Sequence, residues 1–194
     1  MNLSELVRQT QKDGLEAVKE CLRNYTDINA KDYLGSTALM LAAMESNRFS
    51  TEDTVKLLID AGADVDAKDS GGWTALMEAA RSSNYFSTEG TVKLLIDAGA
   101  DVNATNKPGG TALIYAARYS NNSSTEATVK ILIDAGADTT GVLEKAHKDK
   151  KKILYECIIE CKVVFALGRL DPGSIVSTLP KEICKVILDF VKIN

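Results

Sequence analysis

A nucleophile, a general base or a metal site in this chain would have to come from very few residues. His147 is the only histidine, and it stands in the run His147-Lys-Asp-Lys-Lys-Lys152, where a solvated imidazole in a turn is expected rather than a base. Cys157 and Cys161 lie four residues apart. That spacing places two thiols on one helix face and seats half of a tetrahedral metal site. Their neighbours are apolar and no histidine is close, so a pair of core thiols is expected instead. Gly71-Gly72 and Gly109-Gly110 sit in turns, without the strand-to-helix setting of a phosphate cradle. Lys148, Lys150, Lys151 and Lys152 form a run short enough to be a solvated turn. Catalysis needs such groups to converge. The sequence predicts no catalytic residue, no metal and no cofactor.

Binding chemistry is better represented. Trp73, Tyr115, Arg81 and Arg118 are of the types that dominate contact hot spots, and all belong to, or flank, a repeated phrase. Thr37-Ala-Leu-Met-Leu-Ala-Ala43, Thr74-Ala-Leu-Met-Glu-Ala-Ala80 and Thr111-Ala-Leu-Ile-Tyr-Ala-Ala117 follow one another every 37 residues. A second phrase, Val55-Lys-Leu-Leu-Ile-Asp-Ala-Gly-Ala-Asp64, returns with the same period at Val92 to Asp101 and Val129 to Asp138. Self-similarity at a fixed period of this size marks a stacked array.

Each unit reads as a turn and two helices. Asp-x-x-Gly at 32–35 and 69–72 is a turn signal, and Asn106-Lys-Pro-Gly109 is an altered version of it. The Thr that follows caps a first helix, whose Ala-Leu-x-x-Ala-Ala supplies small residues for close packing. Ser-Thr-Glu starts a second helix, with Val55, Leu58 and Ile59 as its apolar stripe. Ala61-Gly62-Ala63 ends it. Between the helices run Ser46-Asn-Arg-Phe-Ser-Thr-Glu52, Ser83-Asn-Tyr-Phe-Ser-Thr-Glu89 and Ser120-Asn-Asn-Ser-Ser-Thr-Glu126. Phe49 and Phe86 recur in register there, and they are expected to stack between neighbouring units.

These phrases resemble the ankyrin repeat, whose consensus joins a β-turn tip, a Thr-Pro-Leu-His-x-Ala-Ala helix, a second helix ending in Leu-Leu, and Gly-Ala-Asp-Val-Asn-Ala. Gly99-Ala-Asp-Val-Asn-Ala104 matches the last phrase, and Gly62-Ala-Asp-Val-Asp-Ala67 nearly does. Ala stands where the family has Pro, Met or Ile where it has His, and the unit exceeds the usual length of about 33 residues. Arrays with this longer unit are similar to those of large DNA viruses and intracellular bacteria, which implies the cytosol of a host cell. The resemblance implies an all-α ankyrin solenoid of helix-turn-helix units with β-turn tips and a C-terminal helical cap. Full units are expected at 32–68, 69–105 and 106–140, preceded by a degenerate N-terminal unit at 1–31. An atypical capping unit follows at 141–167, then a tail helix at 168–194.

Leu179-Pro-Lys-Glu-Ile183, with Ile187 and Phe190 on the same helical face, resembles the carboxy-terminal boxes of ankyrin-type ubiquitin-ligase adaptors. The F-box-like ending of poxviral ankyrin proteins is one such box, and the SOCS box another. Leu179, Pro180, Ile183, Ile187 and Phe190 would then recruit a cullin-type ligase. A helical hairpin that closes the last hydrophobic face of the stack is the other reading of the same residues.

Net charge is −4, with 23 basic and 27 acidic residues interspersed. That balance argues against nucleic acid as the partner. Residues Met1 to Asp13 are too polar for a secretory signal, and no apolar run approaches the ~18 residues of a membrane helix. Four cysteines without a regular framework point to reduced thiols in a cytoplasmic setting and to no membrane association. The expected function is non-catalytic: a scaffold that binds a protein in the concave groove of tips and first helices. Positions that vary among otherwise like units are its expected contacts. In the tips these are Tyr33, Leu34, Ser36, Ser70, Trp73 and Lys107. On the first helices they are Leu41, Met44 and Glu45, then Glu78 and Arg81, then Tyr115, Arg118 and Tyr119, spaced to share a helix side.

Overall fold

Threonine hydroxyls decide where the helices begin. Thr37, Thr51, Thr74, Thr88 and Thr125 are extended residues whose side chains each accept the backbone N–H three positions on, satisfying a donor the helix cannot use itself. Thr111 Oγ1 accepts from Ile114 N in the same way, at 3.3 Å. The helices that follow are α1 (Ala38–Met44), α2 (Glu52–Asp60), α3 (Ala75–Ser82), α4 (Glu89–Asp97), α5 (Ala112–Tyr119) and α6 (Glu126–Asp134). The computed structural model describes residues 18–20, 22–23, 27–47, 50–119 and 125–139. The expected cap at 141–167, the tail helix, His147, Cys157, Cys161 and Phe49 lie outside the described residues, as does most of the 1–31 unit.

The helices form two layers. First helices α1, α3 and α5 pack side by side, second helices α2, α4 and α6 do the same behind them, and each first helix packs on its own second. Ala42, Ala43, Ala79, Ala80, Ala116 and Ala117 are all buried, so the first layer closes up because its contact residues are methyl groups. The second layer contributes Val55 and Leu58, Val92 and Leu95, Val129 and Leu132. Burying each such side chain contributes about 1.5–3 kcal/mol. The apolar stripe is narrower than the spacing predicts: Ile59 is only half-buried, and the third buried position is Thr54, with Thr91 and Thr128 in register.

Those buried threonines explain what the longer unit does. Ser46 Oγ lies 2.7 Å from Thr91 Oγ1 and 3.2 Å from Ser87 Oγ in the next unit. One unit further on, Thr128 Oγ1 donates to Ser83 Oγ at 2.7 Å. Thr88 Oγ1 donates to the Glu52 carboxylate, and Thr125 Oγ1 repeats the contact to Glu89 at 2.6 Å. The inter-helix segment therefore ties neighbours together through hydroxyls, which must be partnered once buried. Phe86 joins the units through its backbone, its carbonyl accepting from Asn47 N at 3.0 Å, while its ring, 39% exposed, lies tilted against Tyr85 of the same loop at 6.5 Å.

The tips are joined as well. Asp32 Oδ1 accepts from Leu34 N and Ser36 N, and Asp69 Oδ1 accepts from Gly71 N and Trp73 N. Ser70 N then donates to Leu34 O at 3.1 Å, and Lys107 N to Gly71 O at 3.0 Å. Gly72 makes this approach achievable. Its φ is +81°, and a Cβ there would sit 3.1 Å from Asn106 Cα, so both conformation and space call for glycine.

Candidate functional site

Trp73 occupies the last tip position before the Thr74 cap, in register with Ser36 and Gly110. Tyr115 lies on α5, in register with Leu41 and Glu78. Stacking one unit on the next brings the two rings together, with centroids 4.3 Å apart and planes 30° from parallel. Such a pair contributes about 0.5–1.5 kcal/mol beyond its buried area. The guanidinium of Arg81, in the last turn of α3, lies 5.1 Å from the Trp73 ring centroid. Its Nη2 donates to Glu78 Oε2 at 2.7 Å. The two residues form an i,i+3 pair within one helix.

Tyr115 is itself held in place. Asn106 Nδ2 donates to its hydroxyl at 2.7 Å, while Asn106 Oδ1 accepts from Gly110 N at 2.8 Å. A Cβ on Gly110 would come within 2.6 Å of the Tyr115 ring. The glycine is thus the space into which the ring fits. The result is a layered group of Arg81, Trp73 and Tyr115, braced by Asn106 from the third tip.

The Ankyrin repeats (3 copies) family model matches the chain over residues 6–105 and 85–168. The chain is an ankyrin-repeat protein. No curated protein matches it. Ankyrin repeats indicate a protein–protein interaction scaffold, and the family is typically non-catalytic. Among the described residues of this ankyrin array, no group of three or more His, Cys, Asp or Glu could hold a metal ion. No helix among them is long and apolar enough to cross a membrane.

On the ankyrin framework the sequence-predicted contacts divide by exposure. Tyr33 is 83% exposed, and Leu34, Ser70, Lys107 and Arg118 are exposed too. The Arg118 guanidinium lies 6.0 Å from the Tyr119 ring centroid. Met44, Glu45, Trp73, Glu78, Arg81 and Tyr119 are half-buried. Three expected contacts, Ser36, Leu41 and Tyr115, are buried. Ser36 donates its N–H inside the tip turn, Leu41 is filled in between helices, and Tyr115 supports Trp73 from beneath. Leu179, Pro180, Ile183, Ile187 and Phe190 lie outside the described residues. Sequence reading took Asn106 as a turn residue and Gly110 as a varying tip position, and missed that the two together seat Tyr115. The available signal was their register: Asn stands where the other tips carry Asp, and Gly where they carry Ser and Trp.

Glu78 carries the electrostatics of the group. Burial pushes its carboxyl above the ordinary value of 4.5; Arg81 pulls it down, and the neighbouring charges of Asp69 and Glu45 push it up again. A carboxyl whose folded pKa exceeds its unfolded one binds protons more tightly when folded. Its contribution therefore favours folding below pH 4.5 and is lost as pH rises through the raised value. The parent-minus-Glu78→Gln difference in Tm is accordingly expected to fall as pH rises from 4.5. A difference that grows with pH would mean that the Arg81 pair outweighs burial.

Proposed function

We propose that this ankyrin array binds a protein partner in the groove of its tips and first helices, with Trp73 as the central anchor. The observation that carries the reading is the support of a half-exposed tryptophan by Tyr115 below it and Arg81 beside it. An aromatic fixed before the partner arrives loses little freedom on binding, and a central, well-supported Trp is the usual seat of a hot spot. Exposed Tyr33 and Leu34 extend the same face at the first tip. The cytoplasm, that of a host cell in the viral or bacterial reading, is the compartment this function implies.

The test is affinity capture with the full chain, followed by titration of the captured protein. Trp73→Ala is expected to weaken binding by about 2 kcal/mol, roughly thirtyfold, with the helical circular-dichroism signal unchanged. Equal affinity for the variant and the parent would remove Trp73 from the site.

A second reading makes the chain an adaptor: the groove holds a substrate while the tail recruits a cullin-type ubiquitin ligase. It rests on Leu179-Pro-Lys-Glu-Ile183 followed by Ile187 and Phe190. Ile183→Asp with Phe190→Asp should then release captured ligase subunits and leave the groove partner bound. Failure of the parent chain to capture any ligase subunit would eliminate it.

A further inference from the structure

Trp73 is held through its ring and leaves one edge unused. Tyr115 stacks on the indole at 4.3 Å, and the Arg81 guanidinium lies 5.1 Å from the ring centroid. The backbone N–H of Trp73 donates to Asp69 Oδ1 at 2.8 Å. The indole Nε1–H, by contrast, has no acceptor among the described residues, and it is not sealed from water. A tryptophan N–H that enters an interface needs an acceptor once water leaves.

The edge that carries this donor lies against Gly71. A Cβ on Gly71 would come within 2.9 Å of Trp73 Cδ1 and 3.4 Å of Nε1, so the missing side chain keeps that edge clear. In register with Gly71 stand Leu34 and Pro108, both exposed. Ser70 N donates to Leu34 O and Lys107 N to Gly71 O, so the three tips lie side by side. The row of tips therefore dips at Gly71 between two apolar shoulders, with the indole N–H beside the dip. A glycine in such a place admits the close approach of another backbone.

The charge of the tip narrows what the acceptor is. Asp69 Oδ1 accepts from both Gly71 N and Trp73 N, and it lies 3.3 Å from where that Gly71 Cβ would stand. A fixed carboxylate is thus next to the dip, and a second one brought there would meet like charge. A neutral carbonyl would not. Resting on the groove reading above, we infer that the partner crosses the second tip over Gly71 and gives a main-chain carbonyl to the Trp73 indole N–H.

Trp73 is the only tryptophan, so the isotope-labelled full-length chain gives one indole N–H resonance. In the free chain that proton is expected to exchange with water faster than the backbone N–H groups of α3 and α5. Protection equal to theirs would mean an acceptor inside the chain and overturn the inference. The protein captured by the parent chain is then titrated into the parent and into Trp73→benzothienylalanine, in which sulfur replaces the N–H. The parent resonance is expected to move downfield and exchange more slowly, and the analogue to bind about fivefold more weakly. That ratio is expected to be the same in about 20 and about 300 mM salt. Equal affinity of parent and analogue would overturn the inference. A ratio that collapses at the higher salt would assign the acceptor to a carboxylate and overturn it too. Weaker binding by Trp73→Ala beside an unaffected analogue would leave the groove reading standing and remove only the carbonyl. Unchanged binding by Trp73→Ala, or capture of no protein at all, would remove the groove reading itself.

Discussion

Leu95→Ala is expected to lower the unfolding free energy by about 2–5 kcal/mol, a large part of what a small domain has. The side chain is fully buried in α4, and α4 is the second helix that packs on both α2 and α6. Truncation removes the transfer free energy of the lost methyl groups and leaves a cavity. The α4 backbone is tied at both ends, by Thr88 at its start and by the Ala98 and Ala100 N–H groups at its finish, so little collapse can fill the space. In a stack whose stability is a sum of units and interfaces, weakening the middle member uncouples its two sides. Urea unfolding followed by circular dichroism and by Trp73 emission should coincide in the parent and separate in the variant. Lys93→Ala, on the exposed side of the same helix, is expected to stay within ~0.5 kcal/mol of the parent. A Leu95→Ala loss below ~1 kcal/mol would contradict the burial described for this position.

The separation of legible from hidden features follows from how local each one is. Threonine caps, the Asp turns and the glycines that end the second helices depend on bonds within a few residues, and residue type alone announces them. Thr74 caps Met77 N, and Gly62, Gly99 and Gly136 take φ near +88°, as their places in the phrase require. The 37-residue period then stacks such units without further information. Contacts between units were harder to read, because they join side chains about 36 to 45 positions apart. Ser46 and Thr91 look like ordinary polar loop and helix residues until stacking buries both. Phe86 looks like a staple through its ring, yet the inter-unit contact seen at this residue is made by its carbonyl, which accepts from Asn47 N, a bond that residue type does not announce. Tyr115 misled for the same reason: at its register position Leu41 and Glu78 are unlike it, and variability suggested exposure. It varies because it answers a change at a neighbouring tip, where Gly110 replaces Trp and Ser.

That coupling makes Gly110→Ser the most informative change at the site. Its Cβ would meet Cε2, Cζ and Oη of Tyr115 at 2.6–2.7 Å, closer than atoms can remain, so the ring must swing out. The Asn106–Tyr115 bond and the Trp73 stack are lost with it. Overpacking and the broken stack together are expected to cost about 2–4 kcal/mol of stability, and Trp73 emission should shift to the red as the ring meets more water. The chain supplies its own control. The first unit carries Ser36 with Leu41 at these two register positions and buries both, so adding Tyr115→Leu to Gly110→Ser should return most of the stability. The two changes would then be strongly non-additive, as contacting residues are. Trp73 would still lack its platform, and its emission and the partner affinity should remain impaired in the stable double variant. Full recovery of both would mean that Tyr115 does nothing for Trp73, and Gly110→Ser matching the parent in stability would mean that the glycine does not make room for the ring.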